Sequence, residues 1–251
     1  MKQKNILLMR GLIRESRHWR DFPALLQKAL PGHKIHTLNI PGNGDLNKLR
    51  SFTTIRQNVL FLRDQWRKKI DYPSDNTIVA LSLGGMIAME WVTLFPEDWT
   101  RLVLMNTSHG GLSPFYHRLR LSNIPKFVQY GLTRNTLKRE EIIYDLTVAD
   151  ATNKATITKE WEKISKSSPV SVTNTLNQIW AAAKYRSSTK RPSLPTTIIS
   201  SKADRLVSPL CSEKLSASWG IPLTIHEKGG HEISTDAPEW VVDEIVKNIN
   251  Q

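Results

Sequence analysis

The chain has 251 residues, 39% of them hydrophobic and 23% charged, enough to bury one substantial α/β core with an insertion. Its apolar runs are strand-sized, which excludes a membrane-spanning helix. Its single cysteine, Cys211, excludes an intrachain disulfide and a cysteine-cluster zinc site. The charge is unusual: 35 Lys and Arg against 23 Asp and Glu give +12, a balance that draws anionic membranes, acidic proteins or nucleic acid. No basic run is dense enough to form a nucleic-acid motif, so nucleic acid is not an expected partner.

In chain order, the basic N-terminus reaches only a four-residue apolar run, Ile6-Leu7-Leu8-Met9, with no small-residue cleavage site after it. A signal peptide is therefore not expected, and a reducing cytoplasm is the simplest compartment. Asn5–Met9 reads as a first strand, followed by a helix face at Trp19, Phe22, Leu26 and Leu30. Lys34–Asn39 is a second strand, then Ile55, Val59, Leu62, Trp66 and Ile70 form a second helical stripe. Further strands are expected at Thr77–Ala80, Arg101–Asn106, Thr196–Ser200 and Pro222–His226. Val241, Ile245 and Ile249 mark a closing helix. Strands alternating with helices imply a mostly parallel, doubly wound sheet.

The alternation stops between Leu112 and Arg191. That stretch has no convincing strand and helical patterns at roughly Phe115–Tyr130, Arg139–Val148, Lys159–Ser165 and Ser171–Tyr185. Gly110-Gly111 and Pro192 with Pro195 punctuate its ends. The expected organisation is a core of residues 1–111 and 192–251 with a helical cap insertion at 112–191. The insertion holds 14 Lys and Arg against 6 Asp and Glu, so +8 of the +12 lies there.

The chemistry-bearing stretch is Ala80-Leu81-Ser82-Leu83-Gly84-Gly85, directly after Thr77-Ile78-Val79. A strand ending in small-x-Ser-x-Gly before a helix holds its serine on a tight turn with the hydroxyl pushed out. Serine is a weak nucleophile and needs a histidine base oriented by a carboxylate. In an open parallel sheet such groups stand beyond the carboxyl ends of strands. Asp204 follows the fifth expected strand and His231, after Gly229-Gly230, follows the sixth. Asp236, just before Ala237-Pro238, reads instead as a carboxylate at a helix N-terminus. His18, His109, His117 and His226 have no ligand-like spacing and read as surface or packing residues. Trp161 and Trp180 read as packing residues of the cap. Arg10, Arg14, Arg17 and Arg20 read as a basic rim around the first loop.

With these landmarks the chain resembles the α/β-hydrolase superfamily, in its small branch with a helical cap. The resemblance rests on Arg10-Gly11 after the first strand, Ile40-Pro41-Gly42-Asn43-Gly44 after the second, the elbow at Ser82, Asp204 with Val207 and Pro209, and Gly230-His231. It implies a catalytic triad of Ser82, Asp204 and His231, with an oxyanion hole from the backbone N–H groups of Leu12 and Leu83. Such donors are each worth on the order of 3 kcal/mol. It implies hydrolysis of a small-molecule carboxylic ester or thioester, with no cofactor and no metal. Three departures stand out. Arg10-Gly11 replaces the usual His-Gly, which is expected to put a charge in the mouth. Ala80-Leu81 replaces the more usual glycine-led pair before the serine. The chain starts at the first parallel strand, so the antiparallel hairpin of larger relatives is not expected. Two alternatives carry over: a substrate linked to an acidic acyl carrier protein docked on the basic cap, and a non-catalytic binding protein on a hydrolase scaffold.

Overall fold

A computed structural model describes residues 3–71 and 74–249; Met1 and Lys2, which open the basic N-terminal stretch, lie outside them. Six strands form the sheet: β1 (Lys4–Met9), β2 (Lys34–Leu38), β3 (Asp75–Leu81), β4 (Arg101–Met105), β5 (Thr196–Ser201) and β6 (Leu223–His226). All are parallel, in the order β2-β1-β3-β4-β5-β6. All six expected strands are present, their ends within two residues of the expected ones. No antiparallel hairpin precedes them among the described residues.

Period-two alternation divides each central strand between two cores. Leu7, Met9, Ile78, Ala80, Leu102, Leu104 and Ile198 face one side. There they pack on α2 (Ile55–Arg67), α3 (Leu83–Leu94) and α9 (Leu210–Trp219). Ile6, Leu8, Val79, Leu81, Val103, Met105 and Ile199 face the other, against α1 (Phe22–Ala29) and α11 (Pro238–Ile249). Each buried Val, Leu, Ile or Met among them contributes about 1.5–3 kcal/mol relative to exposure. Local signals fix the helix starts. Thr54 caps α2 by accepting from the Gln57 N–H at 3.2 Å.

Between β4 and β5 the chain is helical: α4 (Phe115–Arg118), α5 (Ile124–Leu132), α6 (Thr136–Thr147), α7 (Lys154–Ser167) and α8 (Val172–Lys184). The continuous helix expected over Phe115–Tyr130 is instead α4, a 3-10 turn at Leu121–Asn123, and α5. Pro125 sits in the first turn of α5, where its missing N–H costs nothing but the preceding helix cannot run through. Ile143, Tyr144, Val148, Ile157 and the fully buried Trp161 make a small core of their own. Trp161 thus packs as expected, whereas Trp180 is 52% exposed. A final short helix, α10 (Ile233–Asp236), follows β6.

Candidate active site

Ser82 joins β3 to α3 with φ 56° and ψ −119°. A serine in that region stores about 1–3 kcal/mol and stays there only if its surroundings hold it. They do so from three sides. The Ser82 N–H donates to the Met105 carbonyl at 2.9 Å, and the Thr107 hydroxyl donates to the Ser82 carbonyl at 2.7 Å. A Cβ on Gly84 would stand 2.7 Å from the carbonyl oxygens of Met9 and Arg10, and one on Gly11 3.0 Å from the Ser82 Cβ. The glycines therefore let the loop after β1 lie directly against the serine turn. Leu83 opens α3, where an N–H has no intrahelical acceptor. The Leu12 N–H, in the adjoining loop, has no acceptor among the described residues.

Asp204 and His231 meet beyond β5 and β6. The His231 Nδ1 and the Asp204 Oδ2 are 2.7 Å apart, with both side chains buried. The other carboxylate oxygen, Oδ1, accepts the N–H groups of Leu206 at 2.8 Å and Val207 at 2.9 Å. Asp204 is thus fixed by its own loop before it touches the imidazole. Burial disfavours the charged imidazole, but the Asp204 charge and hydrogen bond, with Glu232 beyond, outweigh it and raise the His231 pKa above the ordinary 6.5. Ser82 and His231 line one cavity of about 110 Å³ without a hydrogen bond between them. Its other walls are largely apolar, including Leu12, Leu119, Phe127, Ile143, Leu146 and Ile179.

Three residues to which the sequence assigned no part in the site hold this arrangement. Glu232, next to His231, receives the Arg10 guanidinium at 2.5 Å with both groups buried. Arg10 also lies over the Trp19 ring at 4.6 Å. The charge expected in the mouth is therefore buried beneath it, tying the loop after β1 to the His231 loop. Burial alone would raise the Glu232 carboxyl; Arg10, Arg14 and His231 outweigh it and hold the pKa below its usual value. Asn106, with φ 45°, donates from Nδ2 to the Ser201 hydroxyl and to the carbonyls of Gly230 and His231, at 2.9–3.0 Å. Gln178 on α8 accepts the Ile13 N–H at 2.9 Å and donates to the Asn43 side chain at 2.7 Å. No spacing pattern flags any of the three; only the folded neighbourhood does.

The basic rim does not form as expected. Arg10 and Arg14 are buried, and Arg14 pairs with Glu140 of α6 at 2.7 Å and stacks on Trp161. Arg17 pairs with Glu15 and Arg20 with Glu160. Asp236 ends α10, and its carboxylate accepts the N–H groups of Gly230, Ala149 and Asp150 rather than serving a helix start. His18, His109 and His226 are packing residues; His226 Nδ1 accepts the Gly229 N–H at 2.7 Å just before the histidine loop. Among the described residues no group of three or more His, Cys, Asp or Glu is placed to hold a metal ion.

Comparison with known proteins agrees with this geometry at the level of the fold. No curated protein matches the chain. Among solved structures, the enol-lactonase from Burkholderia xenovorans LB400 superposes with a TM-score of 0.79 at 13% identity, covering 100% of this chain and 93% of its own. The 2-hydroxy-6-oxo-6-phenylhexa-2,4-dienoate hydrolase from Rhodococcus sp. strain RHA1 gives 0.77 at 15% identity, over 99% and 91%. A lipase-esterase related protein from Clostridium acetobutylicum ATCC 824 gives 0.76 at 16%, over 98% and 94%. At such identities the likeness speaks for the fold. The model of the Alpha/beta hydrolase family matches residues 6–244, nearly the whole length, and the chain belongs to that family.

Proposed function

We propose that the protein is a serine hydrolase acting on a carboxylic ester or thioester of a small molecule through an acyl-enzyme. The observation that carries this reading is the buried Asp204–His231 pair, whose histidine lines the same cavity as a serine held at φ 56°. In this reading the Ser82 Oγ attacks the carbonyl carbon as its proton passes to His231 Nε2. The Leu12 and Leu83 N–H groups hold the oxyanion. The intermediate collapses, and the leaving alcohol or thiol takes the proton from His231. Water, deprotonated by His231, then attacks the acyl ester, releasing the acid and restoring Ser82. Asp204 keeps the imidazole in the required tautomer and stabilises its cation. Residues 1–111 and 192–251 serve as the catalytic core and 112–191 as the cap. The apolar cavity walls suit an uncharged acyl group, and the reducing cytoplasm suits the single buried thiol of Cys211.

The test is labelling by a fluorophosphonate together with a panel of esters and thioesters. Wild type should label and turn over at least one substrate, and Ser82→Ala should do neither. A folded wild-type protein that stays unlabelled and inert across the panel leaves the non-catalytic binding protein as the better reading.

A further inference from the structure

Two cap helices turn apolar faces to solvent. No residue of α5 is buried. Leu121, Ile124, Val128 and Leu132, spaced three or four apart, are 48%, 52%, 54% and 79% exposed, one stripe running through the 3-10 turn and α5. On α8, Val172, Leu176, Ile179 and Trp180 repeat the pattern at 68%, 59%, 39% and 52%. Scattered exposed leucines are ordinary, but two helix-long stripes are not. The same helices also line the Ser82 cavity, through Phe127 and Tyr130 of α5 and Thr175 and Ile179 of α8, with Ile179 belonging to both the stripe and the cavity wall. The apolar surface therefore borders that cavity.

In sequence, the charge flanking these stripes has one sign, although Glu141 and Asp145 of α6 share a surface pocket with Lys126 and Gln129 of α5. Residues 99–139 hold seven Lys and Arg and no Asp or Glu, and residues 163–203 repeat that count. Each stripe falls inside one of these acid-free runs. Of the six acids in the intervening stretch, four are ion-paired: Glu140 with Arg14, Asp145 with Lys154, Glu160 with Arg20 and Glu162 with Lys166; Glu141 and Asp150 are the other two. Lys184 Nζ lies 4.3 Å over the ring of Trp180 at the end of α8. A helix lying in a membrane interface combines apolar side chains on one face, flanking Lys and Arg, and an indole at the boundary. No helix of the described residues is long and apolar enough to cross a membrane, so the contact would be peripheral.

We propose that the α5 and α8 face of the cap docks on an anionic phospholipid surface, with the exposed leucines, isoleucines and valines entering the acyl boundary and the surrounding cations meeting the headgroups. Docking stands independently of hydrolysis, because it uses none of Ser82, Asp204 or His231.

The test is co-sedimentation of the Ser82→Ala protein with phosphatidylcholine vesicles, with and without phosphatidylglycerol. Binding should require phosphatidylglycerol and weaken as salt rises. It should blue-shift tryptophan emission, and Trp180→Phe should remove most of that shift. Val128→Asp with Leu132→Asp, both at exposed positions, should lower partitioning by about tenfold or more. Circular dichroism and an unchanged melting curve establish that this variant is folded. The proposal fails if the anionic vesicles do not bind, or if binding is indifferent to the aspartates and so purely electrostatic. It also fails if the same aspartates instead abolish self-association or capture of an acidic acyl carrier protein while vesicles stay unbound. Fluorophosphonate labelling of the wild type reports on the hydrolase reading separately, so the two can fail independently.

Discussion

Ser82, His231 and Asp204 stand on three different loops, and residues 105–107 tie the serine turn to the histidine loop, while Asp204 is fixed by its own loop. One Asp204 oxygen is saturated by the N–H groups of Leu206 and Val207, and the other faces His231 Nδ1. The carboxylate therefore cannot turn away from the imidazole without leaving two amides unpaired. Its charge also sets the working pH. A base must be neutral to take the serine proton, and the His231 pKa is raised above 6.5, so activity is lost as pH falls through that raised value. We expect the acid limb of kcat/KM to lie above 6.5. Asp204→Asn should move that limb downward, because the charge that favours the imidazolium is gone, and should lower kcat by about four orders of magnitude. A pH–rate profile of both proteins checks the shift; a limb that stays in place would remove His231 and Asp204 from the proposed roles.

At the scale of elements, the loop after β1 is held by groups from both core and cap. Ile13, a β-branched residue at φ 53°, is strained, and its N–H is accepted by Gln178 of α8. The preceding residue, Leu12, carries one of the two proposed oxyanion donors. Gln178→Leu removes the acceptor and lets this loop relax. It should lower kcat by about tenfold or more, up to the ~10²–10³ seen when an oxyanion donor is lost outright, with little change in KM. Steady-state kinetics on the best ester of the panel separates this from a packing defect, which would raise KM through the cavity wall as well. Gln178 also marks the limit of what the sequence makes legible. The strands are legible because Ile6 to Met9 and Ile78 to Leu81 must satisfy two cores at once, and the elbow because small residues must flank its serine. A glutamine on a helix has no such pattern. Nor does Arg10: its position after β1 is local, but its burial depends on Glu232, more than two hundred residues away. Pro125, by contrast, is a local signal that does divide α4 from α5.

At the scale of the whole molecule, the cap divides into a part anchored along its length and one, α5, held at its start by Asn123 on the Arg205 carbonyl. Arg14–Glu140 and Arg20–Glu160 fasten α6 and α7 to the first loop and its helix. Asn174 Oδ1 accepts the Ser51 N–H at 2.9 Å, and Gln178 reaches Asn43 and Ser51, so α8 is fastened to the loop after β2. Arg205 donates to the Val148 carbonyl and Asp236 accepts from Ala149 and Asp150, closing the far side. The buried Arg14–Glu140 pair makes that attachment costly to break, since leaving either charge alone inside is worth about 3–5 kcal/mol. α5 has no buried residue at all. A segment with few buried contacts opens at a free energy well below that of global unfolding. Native-state hydrogen exchange should therefore show α6, α7 and α8 protected to a degree approaching β1 and β3, with α5 exchanging well before them. Because Phe127 and Tyr130 of α5 line the Ser82 cavity, its opening would be the least costly route by which substrate enters. Protection of α5 equal to that of α6 would mean that the cap moves as one body, and entry would then require opening of the Arg14–Glu140 attachment.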